Sequence, residues 1–240
     1  MPKFFVDNIA GDVIYITGED ARHIAKSLHM EPGRQLVVSD KQRTDYHCRI
    51  VGVTPEIVTL QIEHQEPCAS ESRVPVSLYQ ALPKGDKLEF AVQKAVELGV
   101  VEITPVLTSR CISRPGDKAM DKKLVRLQKI AYEAAKQTGR GIIPKVKPLL
   151  DYEEALREMA EFDHPLMFYE ESRTPLREVL KPNPASVAVL IGSEGGFSQA
   201  EASMAQAAGI LTAGLGRRIL RCETAGVCAL SVIMYHLGEF

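Results

Sequence analysis

The chain has 240 residues, 45% of them apolar, and a formal net charge of −2 at neutral pH. That length holds one large or two small domains with ample core, in an ordinary soluble composition. It excludes a membrane-spanning helix, because no apolar run approaches the ~20 residues that one needs.

The start, Met1-Pro2-Lys3-Phe4-Phe5, lacks the apolar centre of a signal peptide. Cys48, Cys68, Cys111, Cys222 and Cys228 are odd in number and form no Cys-x-x-Cys pair. This argues against a zinc centre or disulfide framework and for reduced thiols in the cytoplasm, so no metal is expected. The small net charge hides an asymmetry. Residues 1–72 hold 7 Lys and Arg against 11 Asp and Glu, whereas residues 73–240 hold 22 against 20.

Residues 1–66 read as all-β. Short runs rich in β-branched residues at 13–16, 35–38, 48–51 and 57–62 are punctuated by Gly11-Asp12, Pro32-Gly33 and Thr54-Pro55, with one helix over 19–28. The pattern suggests a small barrel. Residues 67–73 read as a linker. Beyond it, strands at 76–82, 102–108, 144–148, 165–169, 187–191 and 210–215 alternate with helices at 87–98, 119–138, 152–161, 175–180, 198–208 and 223–237. Such alternation predicts a parallel sheet flanked by helices over 74–240.

Two features of this second region point to a site. From Arg110 to Arg140 there are nine basic residues against three acidic ones. That stretch can meet a phosphate backbone or simply form a solvated helix face. In the last quarter, the apolar run at 187–191 ends in Gly192, Gly195 and Gly196, and Ser198 with Glu201 forms a capping box. A second run ends in Gly214 and Gly216, followed by Arg217, Arg218 and Arg221. Glycine-rich turns at the carboxyl ends of successive strands lie where α/β sheets bind ligands. The first loop lacks the Gly-Lys-Ser/Thr of a Walker A loop, and the second lacks the third glycine of the dinucleotide fingerprint.

Gly192-Ser193-Glu194-Gly195-Gly196-Phe197-Ser198, followed by Leu215-Gly216-Arg217-Arg218-Ile219-Leu220-Arg221-Cys222-Glu223-Thr224-Ala225, resembles the signature of the RsmE family. These are 16S ribosomal RNA (uracil-N3)-methyltransferases of the SPOUT superfamily. The motifs at 84–100 and 130–140 are similar to the family's as well. The resemblance implies an α/β SPOUT methyltransferase domain with a deep C-terminal trefoil knot formed by residues 187–240, preceded by a small PUA-like β-barrel RNA-binding domain. It implies S-adenosyl-L-methionine as cofactor and a small-subunit uridine, conventionally numbered 1498, as target. A homodimer is also implied, for which Val227, Leu230, Ile233, Met234 and Leu237 supply an apolar stripe on the last helix. The sequence departs from the family at Ser193, usually proline, at Lys136, commonly acidic, near His29, where arginine is common, and at Lys41-Gln42-Arg43, where a glycine turn is common.

On this reading Leu190, Ile191, Gly192, Gly195, Gly196, Leu215, Gly216, Ile219 and Leu220 hold the cofactor. Lys3, Arg22, His23, Lys122, Lys123 and Arg126 contact RNA, or are plain surface. Uridine N3–H is weakly acidic, and a cation would stabilise the anion developing on the uracil oxygens. Arg140 is the first candidate, with a phosphate or structural contact as its alternative. Arg221 is the second, with a structural pairing to Glu194 or Glu223 as its alternative. Glu194 is a proton acceptor if burial raises its pKa, or else caps a turn. Cys222 invites a covalent mechanism, but N3 attacks without prior activation of a ring carbon. Two other classes compete: a nucleotide-binding oxidoreductase and a non-catalytic RNA-binding ribosome-assembly factor.

Overall fold

Burial alternates along β2 (Val13–Thr17), where Ile14 and Ile16 turn inward and Tyr15 outward, as a sheet covered on one face requires. With β1 (Lys3–Phe5), β3 (Gln35–Ser39), β4 (Thr44–Val53) and β5 (Ile57–Pro67) it forms a five-stranded sheet in the order β1-β3-β4-β5-β2. Strand β1 joins β3 in parallel, and the other pairs are antiparallel. Phe4, Ile14, Ile16, Leu36, Val38, Ile50, Val58 and Leu60 make its core, with Ala21 and Ile24 from the helical segment. That segment is shorter than the pattern predicts: α1 (Gly18–Arg22) passes into a π-helical turn over His23–Ser27.

The computed structural model describes all 240 residues and groups them into two units, 1–71 with 135–143, and 72–134 with 144–240. The chain order therefore misplaces residues 135–143, which belong to the first unit. Specific polar contacts within that unit explain why. Glu71 receives Arg140, and Lys3 Nζ donates to the Gly139 carbonyl at 2.8 Å. Lys136 pairs with Asp20, and its ammonium lies 4.6 Å from the centroid of the Phe4 ring. A lysine here therefore has both an anion and an aromatic face to meet.

In the second unit β6 (Val76–Ala81), β7 (Glu102–Leu107), β8 (Lys145–Val146), β10 (His164–Phe168), β11 (Val187–Ile191) and β12 (Leu211–Ala213) form a sheet in the order β12-β10-β11-β6-β7-β8. The short β9 (Leu150–Asp151) also pairs with β7. Every ladder is parallel. All five residues of β11 are buried, as expected of a central strand covered on both faces. The crossovers are α2 (Lys87–Glu97), α3 (Asp117–Gln137), α4 (Tyr152–Met159), α5 (Leu176–Val179) and α6 (Gln199–Ala207), and α7 (Cys222–His236) closes the chain. Parallel order brings the carboxyl ends of β6, β10, β11 and β12 to one edge. The loops beginning at Leu82, Tyr169, Gly192 and Gly214 gather there.

Candidate active site

The last three of these loops line a cavity of about 500 Å³. Phe168, Tyr169 and Glu170 come from the end of β10, and residues 191–196 from β11. Ala213 ends β12 and residues 215–221 follow it, Cys222 and Ala225 come from α7, and Lys87 from α2.

The β11 loop is tight because its glycines permit it. A Cβ on Gly192 would lie 3.1 Å from both the Gly196 Cα and the Phe197 ring, and one on Gly195 would lie 3.0 Å from the Arg110 Cβ. Gly196 adopts φ +61° and donates its N–H to the Ser193 carbonyl at 3.0 Å, closing the turn. The loop is braced from the β7 exit. Arg110 Nη1 donates to the Gly195 carbonyl at 2.9 Å, and the Ser109 N–H donates to Glu201 Oε1 at 2.7 Å. Glu201 is also the expected capping-box partner of Ser198, the N-cap of α6. Ser193 is buried, and its hydroxyl donates to the Arg110 carbonyl at 3.5 Å.

The second loop is open. Gly216 has φ +96° with free space about it, and Ile219 is 90% exposed. Before this loop, β12 runs along the 169–175 segment: the Tyr169 N–H donates to Ala213 and the Gly214 N–H to Thr174.

Ile191, Gly192, Gly195, Gly196, Leu215, Gly216, Ile219 and Leu220 all line the cavity, as do Glu194 and Arg221. Leu190 does not: it is fully buried in the core with Tyr79, Met167 and Phe197. In a strand buried on both faces, sequence cannot tell which residue reaches the cavity. Lys87, Tyr169, Glu170 and Cys222 line it without having been assigned a cofactor role from sequence. The only signal for Glu170 is an acidic pair, Glu170-Glu171, just past a strand's carboxyl end.

Of the two roles expected for Glu194, the surroundings favour the turn over the proton acceptor. Its Oε1 accepts from Lys87 Nζ at 2.7 Å and from the Lys84 N–H at 3.1 Å. Partial burial pulls its pKa up, but Lys87 and the neighbouring amides pull it further down, so the carboxyl stays below its usual range. A carboxylate held this way closes a loop and is a poor proton acceptor. Burial, aided by its hydrogen bond to Glu223, pushes the Cys222 thiol up to about 12. It is not a ready nucleophile.

Arg140 is not at the cavity. It is 2% exposed, and its Nε and Nη2 donate to the two oxygens of Glu71. Lys3 is also withdrawn from RNA: it is 9% exposed, and its Nζ meets Asp45 at 2.7 Å, Cys68 Sγ at 3.1 Å and the Gly139 carbonyl. Arg22 and His23 are exposed in the first unit, and Lys122 and Arg126 on α3 in the second. Lys123 is half-buried, and Arg126 donates to Glu89 at 2.8 Å. The stripe expected for dimer packing is partly consumed within the subunit. Leu230, Ile233 and Met234 are buried, leaving Val232 and Tyr235 exposed on α7.

A model described as an RNA methyltransferase domain matches residues 70–234, and one described as an RNA methyltransferase PUA domain matches residues 16–63. The ribosomal RNA small subunit methyltransferase E of Bacillus subtilis is 34% identical, covering 92% of this chain and 89% of the relative. The fold superposes on a ribosomal RNA small subunit methyltransferase E from Neisseria gonorrhoeae bound to S-adenosyl methionine, with a TM-score of 0.88 and 28% identity over 98% of this chain and 97% of that one. It also superposes on a methyltransferase from Legionella pneumophila in complex with the cofactor, with a TM-score of 0.85 and 31% identity over 97% and 96% of the two chains. With two successive models spanning both of its regions and a full-length relative at this identity, the chain belongs to the ribosomal RNA small subunit methyltransferase E family.

Proposed function

We propose that the protein transfers the methyl group of S-adenosyl-L-methionine to N3 of one uridine in the 16S RNA of the small ribosomal subunit, in the cytoplasm. The observation that carries this reading is the cavity between the 192–196 and 215–220 loops, in a chain of this family. Its residues fit the cofactor. About 500 Å³ suits a small-molecule site, Leu215, Ile219 and Leu220 offer apolar contact, and the glycines expose main-chain groups to a heterocycle.

When bound, S-adenosylmethionine supplies an already activated methyl group, so the protein needs no nucleophile of its own. The 192–196 loop, braced by Arg110 and closed by the Lys87–Glu194 pair, is a preorganised wall for the ligand. Arg221, Arg217 and Arg218 are exposed at the mouth and supply positive charge where uracil oxygens become anionic. Arg140 has a structural role: with the Gly141 and Ile142 N–H groups it is bound to Glu71, which holds residues 140–142 in place. RNA selectivity comes from Arg22 and His23 in the first unit and Lys122, Lys123 and Arg126 in the second, where phosphate contacts set register.

We also infer a homodimer that uses Val232 and Tyr235 of α7, and a knotted 187–240 segment. The second is supported by β11 lying inside the sheet and by β12 being held along the 169–175 loop. A monomeric mass in solution together with full activity overturns the dimer.

The reading is tested by calorimetry on wild type and Gly196→Leu. The wild type should bind S-adenosylmethionine and the variant should not. Equal affinity would remove the cofactor from this cavity.

A further inference from the structure

We propose that Glu170 is a cofactor-binding residue whose carboxylate accepts hydrogen bonds from the adjacent ribose hydroxyls of S-adenosylmethionine; this rests on the methyltransferase reading above. Two carboxylates line the cavity, Glu170 and Glu194. Glu194 is already engaged by Lys87 and by the Lys84 N–H. Glu170 is not. Its one ion pair, to Arg110, is 3.9 Å long, and no protein donor hydrogen-bonds its oxygens. Its side chain is 35% exposed, at the carboxyl end of β10.

Its position is enforced by the loop opposite. The Glu170 carboxylate lies directly over the Gly196 Cα, where any Cβ would collide with it. Gly196 thus leaves room for a carboxylate as well as for a tight turn. Arg110 touches both sides of this arrangement, donating to the Gly195 carbonyl and facing Glu170. The result is an anion with open acceptor positions, held against the cofactor loop on a rigid frame.

A carboxylate has two oxygens with about four acceptor sites and no donor, which matches a pair of neighbouring hydroxyls. Dinucleotide-binding folds use an acidic residue past a strand end in this way. The positively charged sulfonium is the other group on the cofactor that an anion would attract, and the experiment separates the two.

Calorimetry on the full chain would compare S-adenosylmethionine, S-adenosylhomocysteine (which lacks the sulfonium charge) and the 2′,3′-dideoxy form of the latter. Glu170→Gln should weaken both natural ligands about tenfold, the scale of a hydrogen bond to a charged acceptor. It should leave the dideoxy form unchanged. Glu171→Gln should match wild type for all three. Undiminished binding by Glu170→Gln overturns the assignment. So does a loss confined to S-adenosylmethionine, which would mark sulfonium recognition, or an equal loss in Glu171→Gln, which would mark a general charge effect. A wild-type chain that binds none of the three overturns the methyltransferase reading itself.

Discussion

Arg140 and Glu71 form a forked ion pair: Nε donates to Oε1 at 2.8 Å and Nη2 to Oε2 at 2.9 Å, with both side chains at most 3% exposed. Glu71 Oε1 also accepts the N–H groups of Gly141 and Ile142. The pair therefore ties residues 140–142 to the end of the first unit. Removing one partner of such a pair strands a buried charge, at a cost of about 3–5 kcal/mol. Arg140→Ala should lose stability on that scale in urea unfolding while the calorimetric affinity for S-adenosylmethionine holds. Arg140→Ala combined with Glu71→Ala should lose less than the sum of the single variants. A stable Arg140→Ala protein with slowed methyl transfer would instead return Arg140 to the chemistry.

Glu201 predicts an acid limit to stability. Its carboxyl is buried, which alone would raise its pKa, but donors from Ser109 and Ser198 outweigh burial and lower it. A group with a lowered folded-state pKa contributes fully above its ordinary value, here 4.5, and the contribution is lost as pH falls through the folded value. Glu201→Gln should cost about 2 kcal/mol at neutral pH, from a weakened cap and a poorly satisfied Ser109 N–H. In urea titrations across pH, the gap between wild type and variant should close below 4.5.

Lys41 adopts φ +64° in the turn where the family resemblance leads one to expect glycine. Left-handed backbone costs a side-chain-bearing residue about 1–2 kcal/mol, and the entropy of an unfolded glycine offsets part of that. The exposed Lys41–Asp7 pair contributes little. Lys41→Gly should therefore raise stability by up to about 1 kcal/mol in thermal or urea unfolding. A loss would mean the turn needs the lysine.

Cys222, with its thiol pushed up to about 12, stays protonated at working pH. Cys222→Ser should keep methyl transfer within about threefold, since no covalent step is required of it. Loss of transfer with cofactor binding intact would point to a chemical role.

What could be read from the sequence was local. The Ser198-x-x-Glu201 cap spans four residues, and the glycine loops announce themselves at strand ends, so most of the cavity's walls are legible. The misplaced residues depend on distant partners. Lys3 is fixed by Asp45 and Gly139, 42 and 136 positions away, and Arg140 by Glu71, 69 positions away. No periodicity carries such information. A basic residue inside a basic stretch looks the same whether it faces RNA, as Lys122 can, or braces a loop, as Arg110 does. Strand β1 is not legible in the sequence, because three residues are too few to show alternation.

The central claim is tested most directly by incubating the protein with methyl-labelled S-adenosylmethionine and small ribosomal subunits lacking the modification, then mapping the labelled base. One label per subunit is expected, on N3 of a single uridine in 16S RNA, with assembled subunits better substrates than naked RNA because a splayed base need not be unstacked. No transfer by a protein that binds the cofactor, or a label on another base or on ribose, would contradict the account.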